Sequence, residues 1–283
     1  MSTSLPKVEL PFVELAPGVG MGAPAPHGWR TLEHCPLLIL VGVTGVGKST
    51  VLAHLAAAGL DYTLLPDRRD LTDRLIIAAM QAADGDPIAP VADRSLRFAY
   101  TRRYRQHYPG GMADAVAQVL VAPDRAARPL IFDGLRGANE VSAAADRLPL
   151  ARFAMLDAPD WVRVQRLLNR QDDFDQVNTT PAANAAAPLP AAQGFAALGI
   201  PEAATLFSPA EETILLGWLR RGDVSAADLR AKLQIVVEER RSYDPAATLA
   251  ALRQHAPART LHLDTVALSA QAVATRMLAW LNA

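Results

Sequence analysis

The sequence predicts an α/β fold in which helices cover a parallel sheet of about five strands. Three observations lead there. Residues 37–41 and 129–132 are short, continuously apolar runs, and 151–156 is apolar but for Arg152, the pattern of strands buried on both faces. Stretches with helical spacing alternate with these runs. The first run also feeds a glycine-rich turn followed at once by a strong helix former.

That junction is the most informative part of the chain. Leu37, Leu38, Ile39, Leu40 and Val41 lead into Gly42, Val43, Thr44, Gly45, Val46, Gly47, Lys48 and Ser49. The spacing is G-x-x-x-x-G-K-[ST], the phosphate-binding loop. Glycines let the backbone turn so that several N–H groups point inward at a polyphosphate. The next helix aims its positive end at the same anion. Gly42, Thr44, Gly45, Val46, Gly47, Lys48, Ser49 and Thr50 are the expected ATP-binding residues. Lys48 is expected to reach the β- and γ-phosphates, and Ser49 to ligate Mg²⁺. The fold class becomes a three-layer P-loop NTPase fold with a helical lid insertion.

Composition sets the outer limits. The chain has 283 residues, room for one large domain or two small ones. A net charge of −1 and a pI near 6.6 argue against a general nucleic-acid or membrane binder. A single cysteine, Cys35, fits a reducing compartment. No basic stretch followed by an apolar one opens the chain, and no run approaches the ~18 apolar residues that span a bilayer. A cytoplasmic location is expected.

In chain order, residues 1–35 are rich in Pro and Gly and read as an irregular arm that wraps the core or stays mobile, with a partner-binding tail as the functional alternative. Gly59 closes the helix after the glycine turn. Residues 61–65 are a second strand, and a helix runs from Asp67 to about Met80. Residues 93–108 carry two helical stripes: Arg94, Arg97, Thr101 and Arg105, and Tyr100, Tyr104 and Tyr108. Arginines beside aromatic rings suit a nucleoside monophosphate. The same pattern also describes a solvated basic face with packed tyrosines. Residues 112–121 read as a helix.

Residues 128–134 are a strand ending in Asp133, either a magnesium-ordering carboxylate or the cap of the next helix. Residues 151–156 are a third apolar strand, followed by a helix from Trp161 to Arg170 with Arg163, Arg166 and Arg170 on one face. Residues 171–200 read as a long flexible excursion. Ser208, Pro209 and Glu211 form a capping-box pattern, and helices follow to about Arg221 and from Ser225 to Arg241. A last strand at 259–263 and a helix capped by Ser269 close the chain. The expected organisation is an arm at 1–35, a kinase core at 36–170 with an acceptor region at about 67–122, a lid at 171–241, and a return to the core at 242–283.

From these residues onward a resemblance enters. Asp133-Gly134-Leu135-Arg136 with Glu140-Val141, then Asp157-Ala158-Pro159-Asp160 with Arg166 and Arg170, resemble the adenylate-kinase-like nucleotide kinases. The likeness is greatest to the small archaeal dephospho-CoA-kinase-like group, and also touches residues 104–111. It covers about half of the chain, 1–35 and 175–235 excluded. The resemblance implies an ATP-dependent phosphotransferase with Mg²⁺ held through Ser49 and Asp133. It also implies transfer assisted by Lys48, Asp133, Arg166 and Arg170. The acceptor it implies is small and phosphorylated, such as a nucleoside monophosphate, gripped by Arg94, Arg97, Arg105 and Arg136. Arg240 and Arg241 are further candidates for the lid. Two alternatives stand beside this reading. One is a kinase of a sugar, a cofactor precursor or a polynucleotide end. The other is an ATPase or regulatory module using nucleotide as a switch. The guanine-reading Asn/Thr-Lys-x-Asp motif is absent; the chain offers Asn169-Arg170-Gln171-Asp172.

Overall fold

The computed structural model describes residues 10–169 and 194–283, with the side chains of Arg94 and Ser95 outside that description. In chain order the elements begin β1 (Val13–Ala16), β2 (Val19–Met21), β3 (Arg30–Thr31), β4 (Leu37–Val41), α1 (Lys48–Ala57), β5 (Thr63–Leu64) and α2 (Arg68–Leu71). A π-helical turn, Thr72–Ile77, joins α2 to α3 (Ala78–Asp84). Next come α4 (Arg94–His107), α5 (Met112–Val116), β6 (Leu120–Val121), α6 (Pro123–Ala126), β7 (Leu130–Leu135), α7 (Ala138–Arg147), β8 (Ala151–Asp157) and α8 (Asp160–Leu168). After two short 3₁₀ turns follow α9 (Pro209–Arg220), α10 (Ala226–Ser242), α11 (Pro245–His255), β9 (Thr260–Asp264) and α12 (Ala270–Leu281).

Two compact units result. The first takes the described residues up to Gly42, then Lys48–Leu156 and Asp244–Ala283; the second takes Val43–Gly47 and the described part of Asp157–Tyr243.

The first unit is built on a five-stranded, all-parallel sheet in the order β5-β7-β4-β8-β9. The α/β fold class stands as expected. The central strand β4 is fully buried along its length, which is why it reads as an unbroken apolar run. Strand order reverses around it. From β4 the chain moves to the β5 edge, whereas β7 to β8 moves past β4 toward the other edge. Right-handed crossovers in opposite directions put their helices on opposite faces. The cores agree. Ile39, Val41, Phe132 and Phe153 share one apolar cluster with Val141 and Ala144 of α7. Leu38 and Leu40 are buried on the alternate positions, and on α1 and α12, which contact each other, Val51, Leu55, Val273 and Met277 are buried. Helix α1 ends in a Schellman motif: Gly59 sits at φ +88°, its N–H reaches Ala56 O, and the Leu60 N–H reaches Leu55 O.

Three expectations are corrected in this unit. The described part of 1–35 is not an irregular arm. Its proline and glycine content limits it to short strands, but β1, β2 and β3 join β6 in a four-stranded antiparallel sheet, ordered β1-β2-β6-β3. Val19, Met21, Leu32 and Cys35 are buried in the main core, enough apolar surface to hold the segment down. Residues 112–121 are not one helix: α5 stops at Val116, and Leu120 and Val121 pair with β2 and β3. A strand pairing outweighs helical propensity in this valine-rich stretch. Asp133 does not end its strand. The parallel register Ile39↔Phe132 steps to Val41↔Leu135, so β7 carries one extra residue and continues two residues past the aspartate. Such a bulge re-aims a side chain.

The second unit is helical. Val164 and Leu167 of α8 pack with Phe195, Leu198, Phe207, Leu215, Leu229, Leu233 and Val236 in a separate apolar cluster. Ser208 and Glu211 form the expected capping box of α9. The second unit therefore starts at Asp157 and not at residue 171, because the apolar face of α8 belongs to this cluster and not to the sheet. The excursion expected at 171–200 lies outside the described residues up to 193; 194–198 and 201–205 are 3₁₀ turns. Among the described residues no helix is long and apolar enough to cross a membrane.

Candidate functional site

In open parallel sheets, ligands bind beyond the carboxyl ends of the strands where strand order reverses. Here that position is the end of β4. Its last residue hands the chain to Gly42, whose N–H donates to Leu135 O at 3.1 Å. Gly42, Gly45 and Gly47 have φ of +147°, +86° and +100°, which L side chains rarely adopt. The turn then enters α1 at Lys48, whose ammonium folds back and donates to Gly42 O at 2.7 Å.

Within the second unit, the turn Val43–Gly47 lies against α8 and α10. The N–H of Thr44 donates to both carboxylate oxygens of Glu239 at 3.1 Å, and its hydroxyl donates at 2.6 Å. The carbonyl of Thr44 accepts from Arg163 Nε at 2.8 Å. Arg163 is wholly buried; it pairs with Glu239 and donates to Asp160 at 2.6 Å. Arg240 donates to the other oxygen of Asp160 at 2.6 Å. Arg166 donates to Gly45 O at 3.3 Å. With Thr44 tied down, the N–H groups of Gly45 and Gly47 make no hydrogen bond among the described residues. Gly45 is buried. Open backbone donors in a buried turn are costly unless an anion or water takes them.

In the first unit, Ser49 and Asp133 line one cavity of about 590 Å³. Its walls are Leu15, Ala16, Leu52, Leu64 and Pro66, with Tyr62 at one side, and Asp67 and Asp70 complete the charged lining. Asp67 caps α2 by accepting from the N–H groups of Arg69 and Asp70. The strand end behind Asp133 is braced: Arg68 donates to Gly134 O at 2.8 Å and forks onto Glu140 at 2.6 and 2.8 Å. Glu140 also accepts from the Arg136 N–H at 3.0 Å. A Cβ on Gly134 would lie 2.3 Å from the Phe132 ring, so the bulge requires glycine there.

No protein-family model matches the chain, and no curated protein matches it. Among solved structures it is similar to TT1252 from Thermus thermophilus, with 16% identity over 88% of this chain and 97% of that one, at a TM-score of 0.41. At that score the likeness carries no weight for fold or function.

The expected ATP-binding residues Gly42, Thr44, Gly45, Val46, Gly47, Lys48, Ser49 and Thr50 form one turn and the first turn of α1, with Val46 buried and Ser49 and Thr50 exposed. The expected metal ligands Ser49 and Asp133 come to one cavity. Arg166 lies against the turn. Arg170 lies outside the described residues, as does the side chain of Arg94.

Two of the expected acceptor arginines, Arg97 and Arg105, make contacts within the chain. Arg97 pairs with Asp73 and donates to Val91 O. Arg105 is exposed and donates to Thr101 O at 3.4 Å. Arg136 offers its backbone to Glu140 and Thr248. The tyrosine stripe is packing: Tyr104 is buried, its ring stacks on Tyr108 at 4.5 Å, and its hydroxyl accepts from Gln118. Burial, with the charge of nearby Asp114, pushes the Tyr104 phenol well above its ordinary pKa. Sequence reasoning missed Glu239, Asp160 and the interior position of Arg163. The one local signal was the Asp160–Arg163 spacing of three on a helix.

Proposed function

We propose that the protein is an ATP-dependent phosphotransferase that holds the triphosphate on the turn Gly42–Ser49. The observation that carries this reading is the pair of unbonded N–H groups at Gly45, which is buried, and Gly47, which is half-buried, in a turn that opens a helix of 10 residues. The Lys48 ammonium, on the first residue of that helix, supplies the positive charge. Arg166, anchored on Gly45 O, is the arginine best placed to meet charge developing on the phosphoryl oxygens.

A magnesium ion fits the donors present. The Ser49 hydroxyl and Asp133 carboxylate are oxygen ligands on one cavity, and Mg²⁺ is commonly bound by one or two such groups plus phosphate and water. When bound, the ion neutralises phosphate charge. The chain's own part is to orient: the bulge in β7 presents Asp133, and Arg68 with Glu140 fixes the strand end.

For the acceptor, the cavity beside Ser49 favours a small molecule that offers a hydroxyl. Its walls are apolar and its charged lining, apart from Asp133 assigned to the metal, is Asp67 and Asp70, which repel a second phosphate. This support outweighs that for the phosphorylated acceptor, one of whose expected arginines, Arg97, is engaged by Asp73 and Val91 O.

The test is transfer of label from ATP with Mg²⁺ to a panel of nucleoside monophosphates, nucleosides, dephospho-CoA, sugars and 5′-hydroxyl oligonucleotides, with Lys48→Ala in parallel. Transfer to an uncharged alcohol is expected, lost in Lys48→Ala with the circular dichroism spectrum unchanged. Release of phosphate alone replaces the kinase with an ATPase, and full turnover by Lys48→Ala removes Lys48 from the reaction.

A further inference from the structure

We infer that Glu239 and Arg163 are positioning residues for the glycine turn: they fix Thr44 so that the amides after it stay open to a ligand. The ligand named here, a triphosphate, rests on the reading above; the fixing of Thr44 does not.

Every polar group of Thr44 is committed. Its N–H and hydroxyl go to Glu239, and its carbonyl goes to Arg163. No donor of Thr44 is left with which the turn could close on itself at this residue. The two side chains come from different helices, α8 and α10, and Glu239 reaches across 195 positions of sequence.

A simple staple between α8 and α10 would need less. Asp160 with Arg240, and Arg163 with Glu239, already tie the helices together. Arg163 Nε and both oxygens of Glu239 go further and engage the turn itself. Gly45 packs on the same helix so closely that a Cβ there would lie 3.2 Å from Arg163 O. The shape of the turn is thus set from outside by the helices.

The energetics point the same way. Two buried charges gain little stability after desolvation, so such a pair is better explained by the geometry it specifies. Here the two carboxylates of Asp160 and Glu239 meet the two guanidiniums of Arg163 and Arg240, and the group is neutral as a whole. Arg166, on Gly45 O, is the cation this network leaves against the turn within the second unit.

The experiment compares the full chain with Glu239→Gln, Thr44→Val and the double variant. It measures amide hydrogen exchange at residues 43–47 and affinity for ATPγS with Mg²⁺. Glu239→Gln is expected to raise exchange and weaken binding by tenfold or more. Thr44→Val is expected to do less, and the double variant no more than Glu239→Gln, because both act through one network. Wild-type exchange and affinity in Glu239→Gln, or additive losses in the double variant, overturn the inference. If the wild-type chain binds no triphosphate but Glu239→Gln still loosens the turn, the nucleotide reading fails and the positioning role stands. Should Glu239→Gln fail to fold, Thr44→Val decides: faster exchange at 45–47 supports the role, and unchanged exchange overturns it.

Discussion

Gly45 and Gly59 make a matched pair for testing what the turn does. Both sit at nearly the same left-handed backbone angle, φ +86° and +88°. Replacing either with alanine costs roughly 1–2 kcal/mol for the conformation alone. At Gly59 the new methyl meets nothing within 4 Å, so that is the whole effect. At Gly45 the methyl also comes within 3.2 Å of Arg163 O and 3.3 Å of its Cα, and helix backbone does not yield cheaply. The turn therefore relaxes away from the conformation that leaves its amides open. A ligand needing those amides must restore it, so about 2 kcal/mol appears as lost affinity, roughly 30-fold. The assay is titration with a fluorescent ATP analogue, alongside thermal unfolding. Gly59→Ala is expected to lower the melting temperature by a few degrees and leave affinity alone; Gly45→Ala is expected to lose affinity. Equal affinity in both variants and the wild type would refute the placement of the triphosphate on this turn.

Other perturbations separate binding from chemistry and surface from core. Arg166→Ala is expected to cut kcat by about 100-fold or more while ATP affinity changes little, read from steady-state and single-turnover kinetics; loss of affinity alone would assign Arg166 to ground-state binding. Arg103, through its hydrogen bond, holds Asp84 below the usual carboxylate range. The folded-state pKa is therefore the depressed one, and the contribution is present above the ordinary aspartate pKa and lost as pH falls through the depressed value. Urea denaturation of wild type and Asp84→Asn is expected to show a difference at neutral pH that shrinks in strong acid.

The parts of the fold legible in the sequence were those with local causes. The central strand β4 is an unbroken apolar run because both of its faces are covered. Ser208 and Glu211 announce α9 because a cap is a four-residue affair. The N-terminal strands were not legible. They are two to four residues long; β1 and β2 form a hairpin across Pro17-Gly18, a local turn signal too short to announce a sheet, whereas β2 and β3 pair with Leu120–Val121, about a hundred residues on, which no local pattern records. The tyrosine stripe of α4 was legible as a face but not as a role, since a core and a base-stacking site both ask for aromatic rings. Asp133 was found by its place after an apolar run, yet the bulge that aims it depends on the register with β4. The network around Thr44 left the faintest trace, because an Arg and a Glu on two helices carry no mark of facing one another.

That network also explains how a carboxylate can lie at the turn to which we assign the triphosphate. A bare Glu239 about 4 Å from a phosphate would oppose it by about 4 kcal/mol at an effective dielectric of ~20. Such a penalty would cancel most of what a few backbone donors provide. Arg163 removes the conflict: with its guanidinium fully buried against Glu239, the charge seen by a ligand is that of a neutral pair. Glu239 then acts on the turn through its direction, as an acceptor for Thr44, and the arginine is the condition for its presence. It follows that Arg163 and Glu239 form one functional unit. Removing Arg163 alone takes away the charge paired with Glu239 and is the more damaging change, whereas replacing both with apolar residues spares the fold and loses the orientation of Thr44.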